Sequence, residues 1–164
     1  NINTEELSES VLINWRVLIM EKINIVSVKL VKEGDMLVVN KSINSPSVVY
    51  EVLKEYLEGA DREKFVLLTL NTKNHITSIT TVSVGSLSET TVHPREVFKT
   101  AILLNSASII VCHNHPSGDS TPSKADINVT DRIKEGGKIL GIELLDHIII
   151  GDDNYCSFKA KGLI

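Results

Sequence analysis

Two histidines one residue apart, His113 and His115, end a β-branched run from Ser108 to Cys112 at the point where Pro116, Ser117 and Gly118 break the strand. Alternate side chains of an extended chain share a side. The two imidazoles therefore face one point, while Cys112 and Asn114 face the other way. Two imidazole nitrogens on one side can share a metal ion. Farther along comes Asp126, three residues after Ser123, and the local pattern is a helix start with Ser123 as N-cap and an acidic residue in the first turn. At about 100° per residue, Asp126 also falls on the stripe of Val129, Ile133 and Leu140, the apolar side of that helix. An inward carboxylate without a partner is costly to bury. A cation held by His113 and His115 would satisfy it, and two nitrogens plus one carboxylate oxygen suit zinc, with a fourth tetrahedral position left for water.

The elements that must position these residues can be read from periodicity and breakers. Asn3 to Met20 has the spacing of a short amphipathic helix, with Val17 and Ile19 leaving a strand as the alternative, and Lys22 to Asn40 reads as a β-hairpin around Glu33, Gly34 and Asp35. Ser45 and Pro46 start a helix with Val49, Leu53, Tyr56 and Leu57 on one face, ending near Gly59. Phe65 to Leu70 and Ile76 to Val84 are strands joined by a turn at Asn71 to Asn74, which carries His75 at its end. His93 and Pro94 open a further helix, with His93 as a cap or surface residue and Val97, Ala101 and Leu104 on one side. It leads into the strand that carries the histidines. After the Asp126 helix, Gly136, Gly137 and Gly141 are expected to loosen the chain before a strand from Leu145 to Ile150, in which His147 alternates with Ile148 and faces solvent. Gly151 to Asn154 turn into a last short strand around Tyr155 to Phe158. Interleaved helices and strands with several hairpin links give an α/β or α+β class with a mixed sheet.

Composition narrows the function classes. The chain of 164 residues, 42% hydrophobic and 23% charged, suits one globular domain with an extension. Seventeen basic against 21 acidic residues give a net charge of −4, which offers nucleic acid no overall electrostatic footprint. Two cysteines without framework spacing point to a reducing, cytoplasmic setting, with Cys112 a buried small hydrophobe. No apolar run approaches the ~20 residues of a membrane span and no leader pattern is present, so no membrane association is expected. The sequence starts at Asn1 without Met, and its true beginning is expected to lie upstream or to have been removed.

The run His113, Asn114, His115, Pro116, six residues, Ser123, two residues and Asp126 resembles the JAMM metallohydrolase signature, His-x-His-Pro-x6-Ser-x-x-Asp. Within that superfamily the wording HNHPSGDSTPSKAD is similar to the RadC group. So are SPSVVYEVLKEYL, FVLLTLNTKNHI, SVGSL, VHPREVFKTAIL and LGIELLDHIIIGDDNYCSF. The likeness covers roughly Ser42 to Ile164, which divides the chain into an N-terminal extension over 1–41, a helix plus β-hairpin, and a RadC-like JAMM/MPN domain over 42–164.

The resemblance implies an α/β, MPN (JAB)-like fold, a mixed curved β-sheet flanked by helices. It also implies a zinc-dependent peptidase or isopeptidase using a metal-activated water, with His113, His115 and Asp126 as the metal ligands. Amide hydrolysis needs a proton carrier besides the metal, and the resemblance gives that role to Glu63, just before FVLLTL. Read locally, Glu63 belongs to the charged linker Asp61, Arg62, Glu63, Lys64, where a glutamate is usually only solvated, and Glu89, Glu96 and Glu143 compete for the role. Likeness to JAMM enzymes also makes the Ser123 hydroxyl an oxyanion donor, a role compatible with capping. Asp119 reads as a turn residue, with contact to substrate as the lesser alternative. The expected partner is a polypeptide or isopeptide-linked substrate, and a homo-oligomer is compatible with the pattern. Two other classes stay open: a DNA-repair-associated accessory protein of RadC type without peptidase activity, tested by salt-dependent DNA binding, and a metal-stabilised interaction scaffold.

Overall fold

A computed structural model describes residues 22–85 and 92–164. The chain divides into two compact units, Asn1–Glu33 and Gly34–Ile164. The expected helix over Asn3 to Met20 lies outside the described residues, as does Glu89. The expected hairpin over Lys22 to Asn40 is not formed: the segment holds no strand, and Ile25, Val26, Leu37 and Val39 are exposed. Alternation along a chain predicts a strand only where one face is buried, and an isolated two-stranded hairpin is marginal in water.

The second unit is a sheet with helices on both faces. Its elements run α1 (Pro46–Leu57), β1 (Lys64–Leu70), β2 (Ile76–Val84), α2 (Pro94–Leu103), β3 (Ser108–Asn114), α3 (Lys124–Leu140), β4 (Glu143–Ile150) and β5 (Tyr155–Ser157). The strands are ordered β2-β1-β3-β4-β5. β1 is antiparallel to β2 and β3, β3 is parallel to β4, and β4 is antiparallel to β5. The one parallel pair is joined through α3, as a parallel connection requires. β1 and β3 sit inside the sheet, and β3 is buried along its whole length.

Alternation in the central strands sends their side chains to two cores. Phe65, Leu67, Ile109 and Val111 pack with Val97, Phe98 and Ala101 of α2 and Val129 and Ile133 of α3. Val66, Leu68, Ile110, Cys112 and Ile148 pack on the other face with Val49, Leu53 and Leu57 of α1. Cys112 is fully buried, as expected, and its thiol is pushed well up by that burial.

α3 differs from the expected reading at its far end. Gly136 and Gly137 do not loosen it, because the helix runs through both to Leu140 and stops at Gly141, which takes the left-handed conformation with φ 68°. The two glycines instead allow close packing. A Cβ at Gly136 would stand 3.0 Å from the ring of Phe98, and one at Gly137 would land on the carbonyl oxygen of Ile142. Gly137 thereby takes the inward place in the last turns, and Leu140 is exposed rather than part of the stripe.

Candidate metal centre

β3 delivers His113 at its end, and His115 follows directly, its backbone N–H donating to the carbonyl of Ile150 at 2.9 Å. The Nε2 atoms of the two rings lie 3.0 Å apart. Asp126 reaches the same point from α3: Oδ1 is 3.2 Å from His113 Nε2 and Oδ2 is 3.7 Å from His115 Nε2. Asp126 is 1% exposed and His113 is fully buried, so the inward carboxylate expected from the helix stripe is found. The three residues offer ligand atoms within 4.8 Å of one another.

Ser123 is the N-cap of α3, with Oγ accepting from the Asp126 N–H at 3.2 Å, while Asp126 Oδ2 accepts from the Ser123 N–H at 2.7 Å. This reciprocal capping box orients the carboxylate and uses Oδ2. Oδ1 is buried and has no hydrogen-bond partner. The His115 ring proton is turned away from it, because Nδ1 lies 2.6 Å from the carbonyl of Asp119, which can only accept. In the neutral ring that leaves the Nε2 of His115 as a lone pair. An orphaned carboxylate oxygen beside His113 Nε2, with His115 Nε2 next to it, makes an electron-rich pocket that a divalent cation would satisfy, and the N,N,O donor set fits zinc.

Electrostatics agree with the geometry. Burial alone would raise the pKa of Asp126, but N–H donation and positive charge from His113 and His115 in their protonated forms outweigh this and hold it far below the usual carboxylate range. His115, closer to solvent, is raised by the same carboxylate, whereas burial lowers His113.

Glu63 is half-buried at the edge of β1, where Phe65 pairs with His113 in the sheet register. Its charge acts on both imidazoles, favouring their protonated forms. Asn114 grips the backbone on either side of it: its side-chain oxygen accepts from the Lys64 N–H at 2.8 Å and its amide donates to the Arg62 carbonyl at 3.1 Å. Glu63 is therefore not part of a loosely solvated linker. Among its competitors, Glu96 is exposed and paired with Lys99 at 2.5 Å, and Glu143 is exposed at the start of β4. Asp119 is the turn residue expected, its carboxylate accepting from the Thr121 N–H at 2.8 Å while its carbonyl holds His115. His93 caps α2 by accepting from the Arg95 N–H.

His147 corrects the expectation that it faces solvent. It is fully buried, 2.8 Å from His113 Nδ1 through its Nε2 and 2.6 Å from the Thr130 hydroxyl through its Nδ1. Helices cover both faces of the sheet, so neither orientation reaches solvent, and an extra residue in β4 sets the face taken: Ile109 faces Leu144 but Ile110 faces Asp146, so Leu145 is inserted and the alternation shifts by one. Past that point His147 shares the face of Val111 and His113.

A cleft of about 720 Å³ opens beside His115 and Asn114, running toward the C-terminal end of α1. Glu51, Glu55, Glu58, Asp61 and Asp152 line it against the single cation Lys54. Among the described residues no helix is long and apolar enough to cross a membrane.

Comparison with known proteins agrees with the residues. The family model described as a RadC-like JAB domain matches residues 43–163. A UPF0758 protein of Desulfitobacterium hafniense is 54% identical over 122 residues, and one of Clostridium botulinum is 56% identical over 122 residues. Each of these alignments covers 74% of this chain and 54% of the relative. A UPF0758 protein of Methanosarcina mazei is 52% identical over 124 residues, covering 76% of this chain and 54% of its own. The chain thus spans about half the length of the curated relatives it matches. With a mixed five-stranded sheet between helices and a His113, His115, Asp126 group able to hold a metal ion, this chain belongs to the RadC-like JAB domain family.

Proposed function

We propose that the protein is a zinc-dependent metallohydrolase acting on peptide or isopeptide bonds, with His113, His115 and Asp126 as ligands. The observation that carries this reading is Asp126 Oδ1, a buried carboxylate oxygen with no hydrogen-bond partner, 3.2 Å from His113 Nε2, which itself lies 3.0 Å from His115 Nε2. A zinc ion there would polarise a carbonyl and lower the pKa of a water to about 7.

The remaining chemistry falls to side chains around the cluster. Glu63 takes up the proton of the attacking water on its carboxylate and passes it to the leaving nitrogen. Its placement depends on the Asn114 amide, which fixes the backbone at Arg62 and Lys64. Ser123 Oγ already accepts from the Asp126 N–H, so its O–H remains to donate to the oxyanion of a tetrahedral intermediate. The acidic cleft favours a polypeptide segment over a polyanion such as DNA, which supports the hydrolase reading over a DNA-repair accessory role.

The test is a screen of the zinc-loaded protein against peptide and isopeptide libraries, with Glu63→Ala as the control. Cleavage by the wild type that is lost in the variant is expected. Salt-dependent DNA binding, with no cleavage in either protein, would overturn the proposal.

A further inference from the structure

A chain of hydrogen bonds runs inward from His113. The Thr130 hydroxyl donates to the backbone carbonyl of Asp126 at 2.5 Å, and a hydroxyl has a single proton to give. Toward His147 Nδ1, 2.6 Å away, Thr130 can therefore only accept, which places a proton on that nitrogen. His147 is enclosed between Phe158, stacked with ring centroids 4.6 Å apart, and the edge contact of Phe65 at 5.6 Å. A ring so enclosed stays neutral, since burying its charge would be costly. Its Nε2 is then a lone pair and must accept from His113 Nδ1 at 2.8 Å.

We propose that His147 and Thr130 are positioning residues that hold His113 as its Nδ1–H tautomer and so present the Nε2 lone pair to the metal site. The direction of every bond in the series is set at its far end, by a backbone carbonyl of α3 that cannot donate. That carbonyl belongs to Asp126 itself. The helix turn that supplies the third ligand thus also sets the tautomer of the first, and the two histidines are oriented by separate carbonyls, Asp119 for His115 and Asp126 for His113. Partners of this kind are typically worth about 10–100-fold in metal affinity.

The inference rests on the metal-binding reading for its consequence but not for its measurement. Long-range proton–nitrogen correlation spectra of histidine-labelled, metal-free protein at alkaline pH report each tautomer directly. Nδ1–H on both His113 and His147 is expected, and Nε2–H on His113 would overturn the proposal. Zinc competition titrations supply the second readout. Thr130→Val, which keeps the side-chain shape, should weaken zinc about tenfold or more, and Thr130→Ser should restore wild-type affinity. Equal affinity of wild type and Thr130→Val would also overturn it. Should Thr130→Val fail to fold, the wild-type spectrum decides alone. A wild type that binds no zinc would instead remove the hydrolase reading and leave the tautomer result standing.

Discussion

Asp126 carries two duties on its two oxygens, since Oδ2 closes the capping box of α3 and Oδ1 is left for a cation. Asp126→Asn separates them. The amide oxygen can still accept from the Ser123 N–H, while the introduced nitrogen can donate to a lone pair of His113 where the carboxylate could not. At alkaline pH the metal-free variant should therefore be more stable than wild type, by about 1 kcal/mol in urea denaturation, and should take up no zinc. A variant that is less stable and still binds zinc would contradict this division of roles. Glu63 makes the complementary prediction. Glu63→Gln should retain full zinc content and lose turnover by about 10²–10⁴-fold in a peptidase assay, the range of a proton carrier; loss of zinc instead would make Glu63 a ligand.

Residue spacing made His113, His115 and Asp126 legible before any fold was known, because period two in a strand and period 3.6 in a helix are both short-range properties. His147 was illegible for the same reason. Its orientation depends on an inserted residue in β4 opposite β3, and it meets His113 34 positions earlier; β4 is buried on both faces, so no polar–apolar alternation signals the bulge. The glycines of α3 were misread in a related way: Gly136 and Gly137 look like helix breakers until Phe98 and the Ile142 carbonyl are placed against them. Gly137→Ala should accordingly destabilise the protein, although alanine favours a helix by about 1 kcal/mol over glycine. The clash with a backbone carbonyl should outweigh that gain, giving a net loss of about 1–3 kcal/mol in chemical denaturation; a stabilised variant would refute the close contact. The segment over 22–40 was misread from real alternation that buries no face, since Ile25, Val26, Leu37 and Val39 stay exposed.

Folding and metal binding are linked through the histidines. His147 and His113 are held below their ordinary pKa of 6.5, so below about pH 6.5 the unfolded chain binds protons that the folded protein does not. Stability therefore falls with acid, by about 1.4 kcal/mol per pH unit for each proton. His115 is raised, so its contribution is full below pH 6.5 and is lost as pH climbs through its higher folded value. Metal-free protein should have its stability maximum near pH 6.5, measured by melting temperature across pH. Saturating zinc, which needs neutral imidazoles, should remove the alkaline decline. A metal-free profile that rises steadily through neutral pH would contradict the assignment of the raised group. The acidic cleft beside His115 belongs to the same picture, since it sets the charge of what can approach. Everything nonetheless turns on whether one cation sits among His113, His115 and Asp126. Metal analysis of the purified wild type and of His113→Ala, each equilibrated with zinc and then desalted, answers that directly: one zinc per chain in the wild type and none in the variant is predicted, and equal content in both would contradict the account.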